Sequence, residues 1–240
     1  PFIEDKSIDA IICDLPYGTT RNKWDSVLPL DELWKQYKRI IKDNGAIILF
    51  AQTPFDKVLG ASNLPMLKYE WIWIKNRGSG HLNAKKMPMK YHENILVFYK
   101  NSPTYNPIFS DYSESTKKIH KSEKVKTFDP NWANNNSNYG KFNKLERVYD
   151  FNRGKYPMSY LNFDVLSQTD KTRIHPTQKP VELMEYLIKT YTNENEIVLD
   201  NTMGSGTTGL ACLKTNRQFI GIEKEKQYYD VAVRRLSSYC

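Results

Sequence analysis

Short apolar runs alternate with segments of helical periodicity along the end of the chain, and this alternation limits the fold more than any other feature. Residues 181–191, 207–214 and 226–236 are predicted as helices. Residues 196–199 and 218–222 are short apolar runs typical of strands covered on both faces. Strands that alternate with helices in this way favour an α/β fold with a doubly wound, mostly parallel sheet.

The first hundred residues repeat this alternation. A helix is predicted over residues 30–42, because Leu30, Trp34, Tyr37 and Ile41 recur at helical spacing. An apolar run at residues 8–13 predicts a strand that ends at Asp14. Further candidates for parallel strands are residues 46–51, 69–74 and 95–99.

The middle of the chain differs from both ends. Residues 101–170 lack clear periodicity and contain the asparagine-rich stretch 131–138. Segments this long without regular structure are usually functional or disordered. We therefore predict one α/β domain built from residues 1–100 and 171–240, with residues 101–170 inserted as a separate recognition region.

Positive charge is concentrated in one internal segment. The net charge is +8, and residues 75–160 hold 16 Lys and Arg against 7 Asp and Glu. A basic stripe is the usual sign of a polyanionic partner, because Lys and Arg that neutralise phosphates release condensed counterions. Charge alone is equally compatible with a solvated basic surface that aids solubility.

Other residue patterns exclude several classes of protein. No apolar stretch approaches the roughly 20 residues that span a bilayer, so we expect no membrane role. The three cysteines, Cys13, Cys212 and Cys240, are few, odd in number and far apart, and we expect a reducing, intracellular compartment. The histidines lack metal-binding spacing, so no metal site is predicted. The chain opens on Pro1 rather than Met, and we expect a preceding segment.

The first motif with chemical meaning is Asp14-Leu15-Pro16-Tyr17, directly after the strand at residues 8–13. Alkylating the exocyclic amine of a base requires acceptors for its two N–H bonds. The Asp14 carboxylate and the Leu15 carbonyl can supply them, Pro16 can hold the turn rigid, and the Tyr17 ring can stack on an extruded base. The same four residues could also be a plain turn after a strand.

The second motif runs from Asp200 to Gly209, after the strand at residues 196–199. Gly204 and Gly206 allow close approach of a ligand to the backbone, and Thr207 begins a helix whose free N–H groups favour an electron-rich partner. Glu223 directly follows the strand at residues 218–222, and an acidic side chain at this place can accept hydrogen bonds from ribose hydroxyls. A tight turn and an ordinary surface glutamate remain the alternatives.

Together the two motifs resemble the amino-group DNA methyltransferases that use S-adenosylmethionine, whose catalytic motif reads Asp/Asn/Ser-Pro-Pro-Tyr/Phe. Their order along the chain is that of the β-class, in which the catalytic half precedes the recognition insert and the cofactor half. Residues 175–180, with sequence His-Pro-Thr-Gln-Lys-Pro, and the segments 76–78, 83–86 and 92–93 also resemble this class. The similarity covers most of the chain outside residues 101–170.

The resemblance implies a circularly permuted, Rossmann-like methyltransferase sheet, with a target-recognition insert that binds double-stranded DNA. It implies transfer of a methyl group to N6 of a flipped-out adenine, since Asp at position 14 points to adenine. The implied catalytic residues are Asp14, Leu15, Pro16 and Tyr17. The implied cofactor contacts are Asp200, Gly204, Gly206, Thr207, Thr208, Glu223, His175, Thr177 and Lys179. The candidates for DNA contact are Arg77, Lys85, Lys86, Lys117 and Lys118.

Some details are left open by the resemblance. Leu15 stands where the family usually has proline, and we expect reduced rigidity rather than lost chemistry. Lys179 could bind the methionine carboxylate of the cofactor or be an ordinary lysine at a helix start. In the permuted class the strand after the last helix would precede Pro1. A homodimer and the cytoplasm of a prokaryotic cell or its phage are expected, whereas no cognate restriction endonuclease can be inferred.

Alternative functions follow from the same residues. Methylation of cytosine N4 or of an RNA base would keep every site and change the pocket. A DNA-binding relative without catalysis would retain the sheet but not the cofactor. A nicotinamide dehydrogenase is disfavoured, because it would leave the Asp14 motif without a purpose.

Overall fold

The computed structural model describes residues 2–18, 25–119, 124–127, 147–150, 153–167 and 178–239. It divides the chain into two compact units. The first consists of Pro1–Asn106 and Met158–Cys240, and the second of Pro107–Pro157. The predicted insert, residues 101–170, therefore extends beyond both ends of the second unit.

The first unit contains a seven-stranded sheet, and the second unit contains a two-stranded antiparallel sheet. The order of strands across the large sheet is β7-β3-β4-β2-β1-β8-β9. The strands of the large sheet are β1 (Ile8–Asp14), β2 (Ile41–Ala51), β3 (Leu67–Ser79), β4 (Lys90–Phe98), β7 (Tyr160–Asn162), β8 (Ile197–Asp200) and β9 (Gln218–Gly221). Those of the second unit are β5 (Lys124–Thr127) and β6 (Arg147–Asp150).

Helices follow most strands of the large sheet. Those of the first unit are α1 (Leu30–Ile40), α2 (Phe55–Ser62), α4 (Val181–Tyr191), α5 (Thr207–Lys214) and α6 (Lys226–Ser237), and the second unit contains α3 (Glu114–Ile119). Within the described residues, no helix has the length and apolar character needed to cross a membrane.

The sheet is mostly parallel, as predicted from the sequence. β1 pairs in parallel with β2 and β8, β8 with β9, and β3 with β7. The exception is β4, which is antiparallel to both neighbours. The prediction of a parallel strand at residues 95–99 was therefore wrong. β3 and β4 are joined by a ten-residue connection, whereas parallel neighbours need a crossover of a dozen or more residues.

The core lies on both faces of β1, as its continuous apolar run indicates. Ala10 and Ile12 pack into a cluster with α4 and α5, whereas Ile11 and Cys13 pack into a second cluster with α1 and α2. Successive side chains of a strand point to opposite faces, so both sides must be covered. Burial of Ile8–Cys13 at 9% exposure or less therefore places β1 inside the core of the first unit.

The order in which strands are added to the sheet reverses between β1 and β8. The connection through α1 leads from β1 to β2 on one side, and the connection through α5 leads from β8 to β9 on the other. Open α/β sheets bind ligands outside the carboxyl ends of strands at such a switch point. The two sequence motifs follow these two strands.

Candidate active site

The two motifs are in direct contact. Because β1 and β8 are parallel neighbours, Asp14 and Asp200 end their strands at the same edge of the sheet. The Thr202 hydroxyl donates a hydrogen bond of 3.1 Å to the backbone oxygen of Asp14. Asp14 and Thr202, which are 188 positions apart in the sequence, are thus neighbours at the same edge of the sheet.

A cavity of about 830 Å³ opens at this edge. Its volume lies within the roughly 300–1,000 Å³ of ligand sites. All four residues of the predicted catalytic motif line it: Asp14, Leu15, Pro16 and Tyr17. From the predicted cofactor set it is lined by Lys179, Asp200, Gly204, Thr207, Thr208 and Glu223.

The Asp14 carboxylate is held from two sides. Its Oδ1 accepts a hydrogen bond of 2.6 Å from the Tyr17 hydroxyl, and its Oδ2 accepts one of 2.5 Å from Nζ of Lys179. The Tyr17 ring stacks on Phe55, with centroids 5.4 Å apart and an interplanar angle of 28°. Burial and the nearby Asp14 raise the pKa of Tyr17, so its hydroxyl stays protonated and donates.

Lys179 is part of a buried chain of alternating charges. Its Nζ lies 3.2 Å from Oε2 of Glu93, and Glu93 also pairs with Lys75. Burial alone would lower the pKa of Lys179, but Asp14 and Glu93 raise it above its usual value. Burial likewise opposes ionisation of Glu93, yet the two lysines lower its pKa. Two acidic and two basic side chains therefore compensate one another in this buried chain.

The glycine loop is shaped by positive φ angles. Gly204 has φ 51° and Gly206 has φ 75°, and a Cβ atom at Gly204 would have no neighbour within 4 Å. Gly206 is the residue before helix α5 and does not line the cavity, and a Cβ atom there would lie 3.1 Å from that of Ala232. The backbone at Gly204 is therefore open to a ligand, whereas Gly206 permits helix packing.

Glu223 braces this loop. Its Oε2 accepts a hydrogen bond of 2.9 Å from the Gly204 N–H, and its Oε1 accepts one of 2.9 Å from the Glu225 N–H. A carboxylate oxygen has lone pairs left after one hydrogen bond. Glu223 can therefore fix the loop and still accept from hydroxyl groups of a ligand.

Asp200 is a buried carboxyl group at the end of β8. It accepts hydrogen bonds of 2.5 Å from the Thr208 hydroxyl and 3.0 Å from the Thr202 N–H. Burial nevertheless raises the pKa of Asp200 to about 6, and the two hydrogen bonds oppose this shift. The Thr207 hydroxyl accepts from Arg235 at 3.1 Å. This wall of the cavity thus carries a negative charge that water solvates poorly.

The remaining predicted residues lie elsewhere or outside the described residues. Arg77 lines the cavity, whereas Lys85 and Lys86 are exposed on the connection between β3 and β4. Lys117 and Lys118 lie in α3 of the second unit, and their side chains are outside the described part, as are His175 and Thr177.

Several residues that line the cavity are not predicted from the sequence. Glu93 lies within a segment that resembles the family but has no predicted role, and Lys75 and Gln52 belong to no predicted site. Gln52 donates a hydrogen bond of 2.9 Å to Glu93. The available signal was the presence of charged residues in otherwise apolar strands, because such charges are rarely buried unless paired. Among the described residues, no group of three or more potential ligands could hold a metal ion.

Comparison with known proteins shows the family of this chain. Residues 8–234 match the model of the N6_N4_Mtase family, described as DNA methylase. The chain belongs to this family. The resemblance seen in the sequence, the methyltransferase fold class and the prediction of an enzyme are thereby confirmed.

Relatives of this methylase cover nearly all of its length. It is 32% identical to type II methyltransferase M2.LlaDCHI of Lactococcus lactis subsp. cremoris, over 98% of the chain and 84% of the relative. It is 28% identical to DNA adenine methyltransferase YhdJ of Escherichia coli K12, over 98% of the chain and 78% of the relative. The crystal structure of the M1.HpyAVI–SAM complex is 28% identical, with a TM-score of 0.59, and the match covers 96% of the methylase and 90% of that chain.

Proposed function

We propose that this methylase transfers the methyl group of S-adenosylmethionine to N6 of an adenine that is extruded from duplex DNA. The observation that carries this proposal is that one cavity is lined by Asp14 of the first motif, Gly204 of the second motif and Glu223. A base held by the first motif and a nucleotide-type cofactor held by the second would therefore lie in the same cavity.

The residues of the cavity fit S-adenosylmethionine. Gly204 leaves open space beside its backbone, and Glu223 offers lone pairs to ribose hydroxyls. The buried negative charge of Asp200 suits a ligand that carries a positive sulfonium and an ammonium group. M1.HpyAVI, which was crystallised with SAM, has the same fold over almost the whole chain. We infer that Gly204, Glu223 and Asp200 hold the cofactor.

The choice of adenine rests on two supports. YhdJ is a DNA adenine methyltransferase, and Asp at position 14 is the residue that the family resemblance associates with adenine. Bound S-adenosylmethionine supplies a methyl group on a positive sulfur, so the carbon–sulfur bond breaks as the carbon–nitrogen bond forms and the amine then loses one proton.

The protein positions the amine and neutralises its developing charge. The Asp14 carboxylate accepts a hydrogen bond from one N–H of the amine, and the Leu15 carbonyl accepts one from the other, which directs the nitrogen lone pair at the methyl group. The Tyr17 ring stacks on the extruded base, worth about 1 to 3 kcal/mol. Leucine has the same carbonyl as proline, so this role survives the departure from the family pattern.

Target recognition is proposed for the second unit together with the basic residues near the cavity. The second unit, residues 107–157, holds 10 Lys and Arg against 6 Asp and Glu. Replacing both Lys117 and Lys118 by Ala is expected to weaken DNA binding. If both contact phosphates, the slope of log affinity against log salt concentration falls by about 2.

The proposed function is tested by tritiated-methyl transfer from S-adenosylmethionine to unmethylated plasmid DNA, followed by nucleoside chromatography. Label in N6-methyladenine is expected with the unaltered protein and is lost in Asp14→Ala. Asp43→Ala, which alters an exposed aspartate outside the cavity, is the matched control and keeps the label. Label in N4-methylcytosine would overturn the choice of base, and no label despite cofactor binding would overturn DNA methylation.

A further inference from the structure

The connection between β3 and β4 presents a solvent-exposed leucine. Leu82 is 89% exposed, and within the described part of the chain the only more exposed large apolar side chain is that of Phe2. Leu82 lies in a 3-10 turn, His81–Asn83. Single exposed leucines are common on protein surfaces, so the position of Leu82 must decide whether it has a role.

Leu82 stands near the rim of the active-site cavity. The end of β3 lines that cavity through Arg77, Gly78 and Ser79. Leu82 is three positions after Ser79 in the sequence, so their Cα atoms are at most about 11 Å apart. An extruded base that reaches Asp14 would therefore leave its stack close to this turn.

The turn is held by hydrogen bonds within the backbone. The Asn83 N–H donates to the Gly80 oxygen at 2.9 Å, the Ala84 N–H to the His81 oxygen at 3.1 Å and the Lys86 N–H to the Asn83 oxygen at 2.8 Å. Gly80 enters the turn with φ 88°, a conformation that glycine adopts without strain. These contacts define the conformation in which Leu82 is presented to solvent.

The charges around the turn match DNA. Residues 76–92 contain four lysines and arginines and no acidic residue. Lys85 and Lys86 follow the turn after Ala84 and are exposed. Lysines beside a protruding apolar side chain can bind phosphates on either side of the point at which that side chain enters a groove.

We propose that Leu82 is a wedge that enters the base stack and occupies the space left by the extruded adenine. This inference rests on the proposed function. Apolar side chains that enter between base steps unstack them, and extrusion of a base from its stack must otherwise leave a gap. Leu82 stabilises the open duplex while the adenine lies against Tyr17, so its contribution depends on the target being paired.

The experiment compares Leu82→Ala with the unaltered protein on two oligonucleotide duplexes. Both carry the sequence that the unaltered protein methylates in plasmid DNA, with the target adenine opposite thymine in one and opposite an abasic site in the other. With the paired target, kcat/KM is expected to fall by about 10- to 100-fold. With the abasic partner, extrusion costs less, and Leu82→Ala is expected to come within about threefold of the unaltered protein.

Leu64→Ala is the matched control, because Leu64 is 64% exposed and does not line the cavity. It should leave both rates unchanged. Fluorescence of 2-aminopurine at the target position should rise on binding of the unaltered protein and rise less with Leu82→Ala.

Other outcomes overturn the wedge. Equal rates for Leu82→Ala and the unaltered protein on the paired target would remove the role. Equal losses on both duplexes would show a structural role, and if sedimentation also showed the loss of a dimer, Leu82 would belong to an interface between two copies. An unaltered protein that methylates no DNA would overturn the proposed function itself, whereas the other two results leave that function intact.

Discussion

Nζ of Lys179 lies 2.5 Å from Oδ2 of Asp14, although 165 positions separate the two residues along the chain. Lys179 is buried in this position and contacts Glu93 on its other side. The expectation from the sequence was a contact with the cofactor or a plain lysine at a helix start. The geometry instead indicates that Lys179 holds the Asp14 carboxylate in position.

Replacing Lys179 by Met should therefore slow methylation, and more so in acid. The change removes the hydrogen bond to Oδ2 of Asp14 and leaves the buried Glu93 paired with Lys75. Because hydrogen bonds to charged groups are worth about 1.5 to 3 kcal/mol, kcat/KM should fall by about 10- to 100-fold. Loss of Lys179 should also raise the pKa of Glu93, which the two lysines lower, so the deficit should grow as the pH falls. Rates measured from pH 5.5 to 9 check this.

Lys179→Arg keeps the charge and should retain the unaltered pH profile. Lys189→Met removes a half-exposed lysine of α4, the helix that follows Lys179, which forms a surface ion pair with Glu185, and should leave the rate unchanged. A pH profile for Lys179→Met with unaltered shape but lower rate at every pH would mean that Lys179 supports packing alone.

Tyr17 should act mainly through its ring. Tyr17→Phe removes the hydroxyl group that donates to Asp14 but keeps the stacking surface, so a loss of less than about tenfold in kcat/KM is expected. Tyr17→Ala removes the surface on which the base stacks, and a further loss of about 10- to 100-fold is expected. Tyr229, which is 46% exposed on α6 and does not line the cavity, offers Tyr229→Ala as the control. Equal losses in Tyr17→Phe and Tyr17→Ala would contradict the stacking role.

Sequence periodicity predicted the helices near the cofactor motif residue by residue. The bounds of α4 and α5 agree with the predicted ranges 181–191 and 207–214, because each helix buries an amphipathic face on the sheet. The helix predicted over residues 30–42 ends at Ile40, since the chain enters β2 at Ile41. Periodicity reflects which face of a helix is buried, and this is why these helices could be predicted.

Strand direction and the charge network could not be predicted in this way. A buried strand shows the same apolar run in either direction, so the sequence did not distinguish the antiparallel β4 from its neighbours. Lys75, Glu93 and Lys179 meet only after β3, β4 and the start of α4 have packed around the cavity. Motif resemblance identified Lys179 as a site residue but could not specify its partner.

Replacing Glu223 by Gln should weaken cofactor binding. The carboxylate accepts two backbone N–H groups, and a glutamine amide would place its own NH₂ group against one of them. Because hydrogen bonds to charged groups are each worth about 1.5 to 3 kcal/mol, the Kd for S-adenosylmethionine should rise by about tenfold or more. Titration calorimetry measures this.

The control for Glu223→Gln is Glu182→Gln, an exposed glutamate in the first turn of α4. It should leave the Kd for the cofactor unchanged, and both variants should bind DNA as the unaltered protein does. Cofactor binding that is unaffected by Glu223→Gln would contradict a role of this carboxylate in the site.

Asp200 should make the cofactor-free protein less stable as the pH rises. Burial raises the pKa of Asp200 to about 6 in the folded state, above the ordinary value of 3.8. The folded state therefore holds this proton more tightly than the unfolded state, and the resulting stability is present below pH 4 and lost as the pH rises through 6. Asp200→Asn removes the titration, so at pH 8 it should be more stable than the unaltered protein by up to about 3 kcal/mol. Urea unfolding from pH 4 to 8 checks this, with exposed Asp31→Asn expected within about 0.5 kcal/mol of the unaltered protein.

Because the same charge is proposed to attract the cofactor, Asp200→Asn should also bind S-adenosylmethionine more weakly. A variant that is both less stable at pH 8 and unaltered in cofactor affinity would contradict this account.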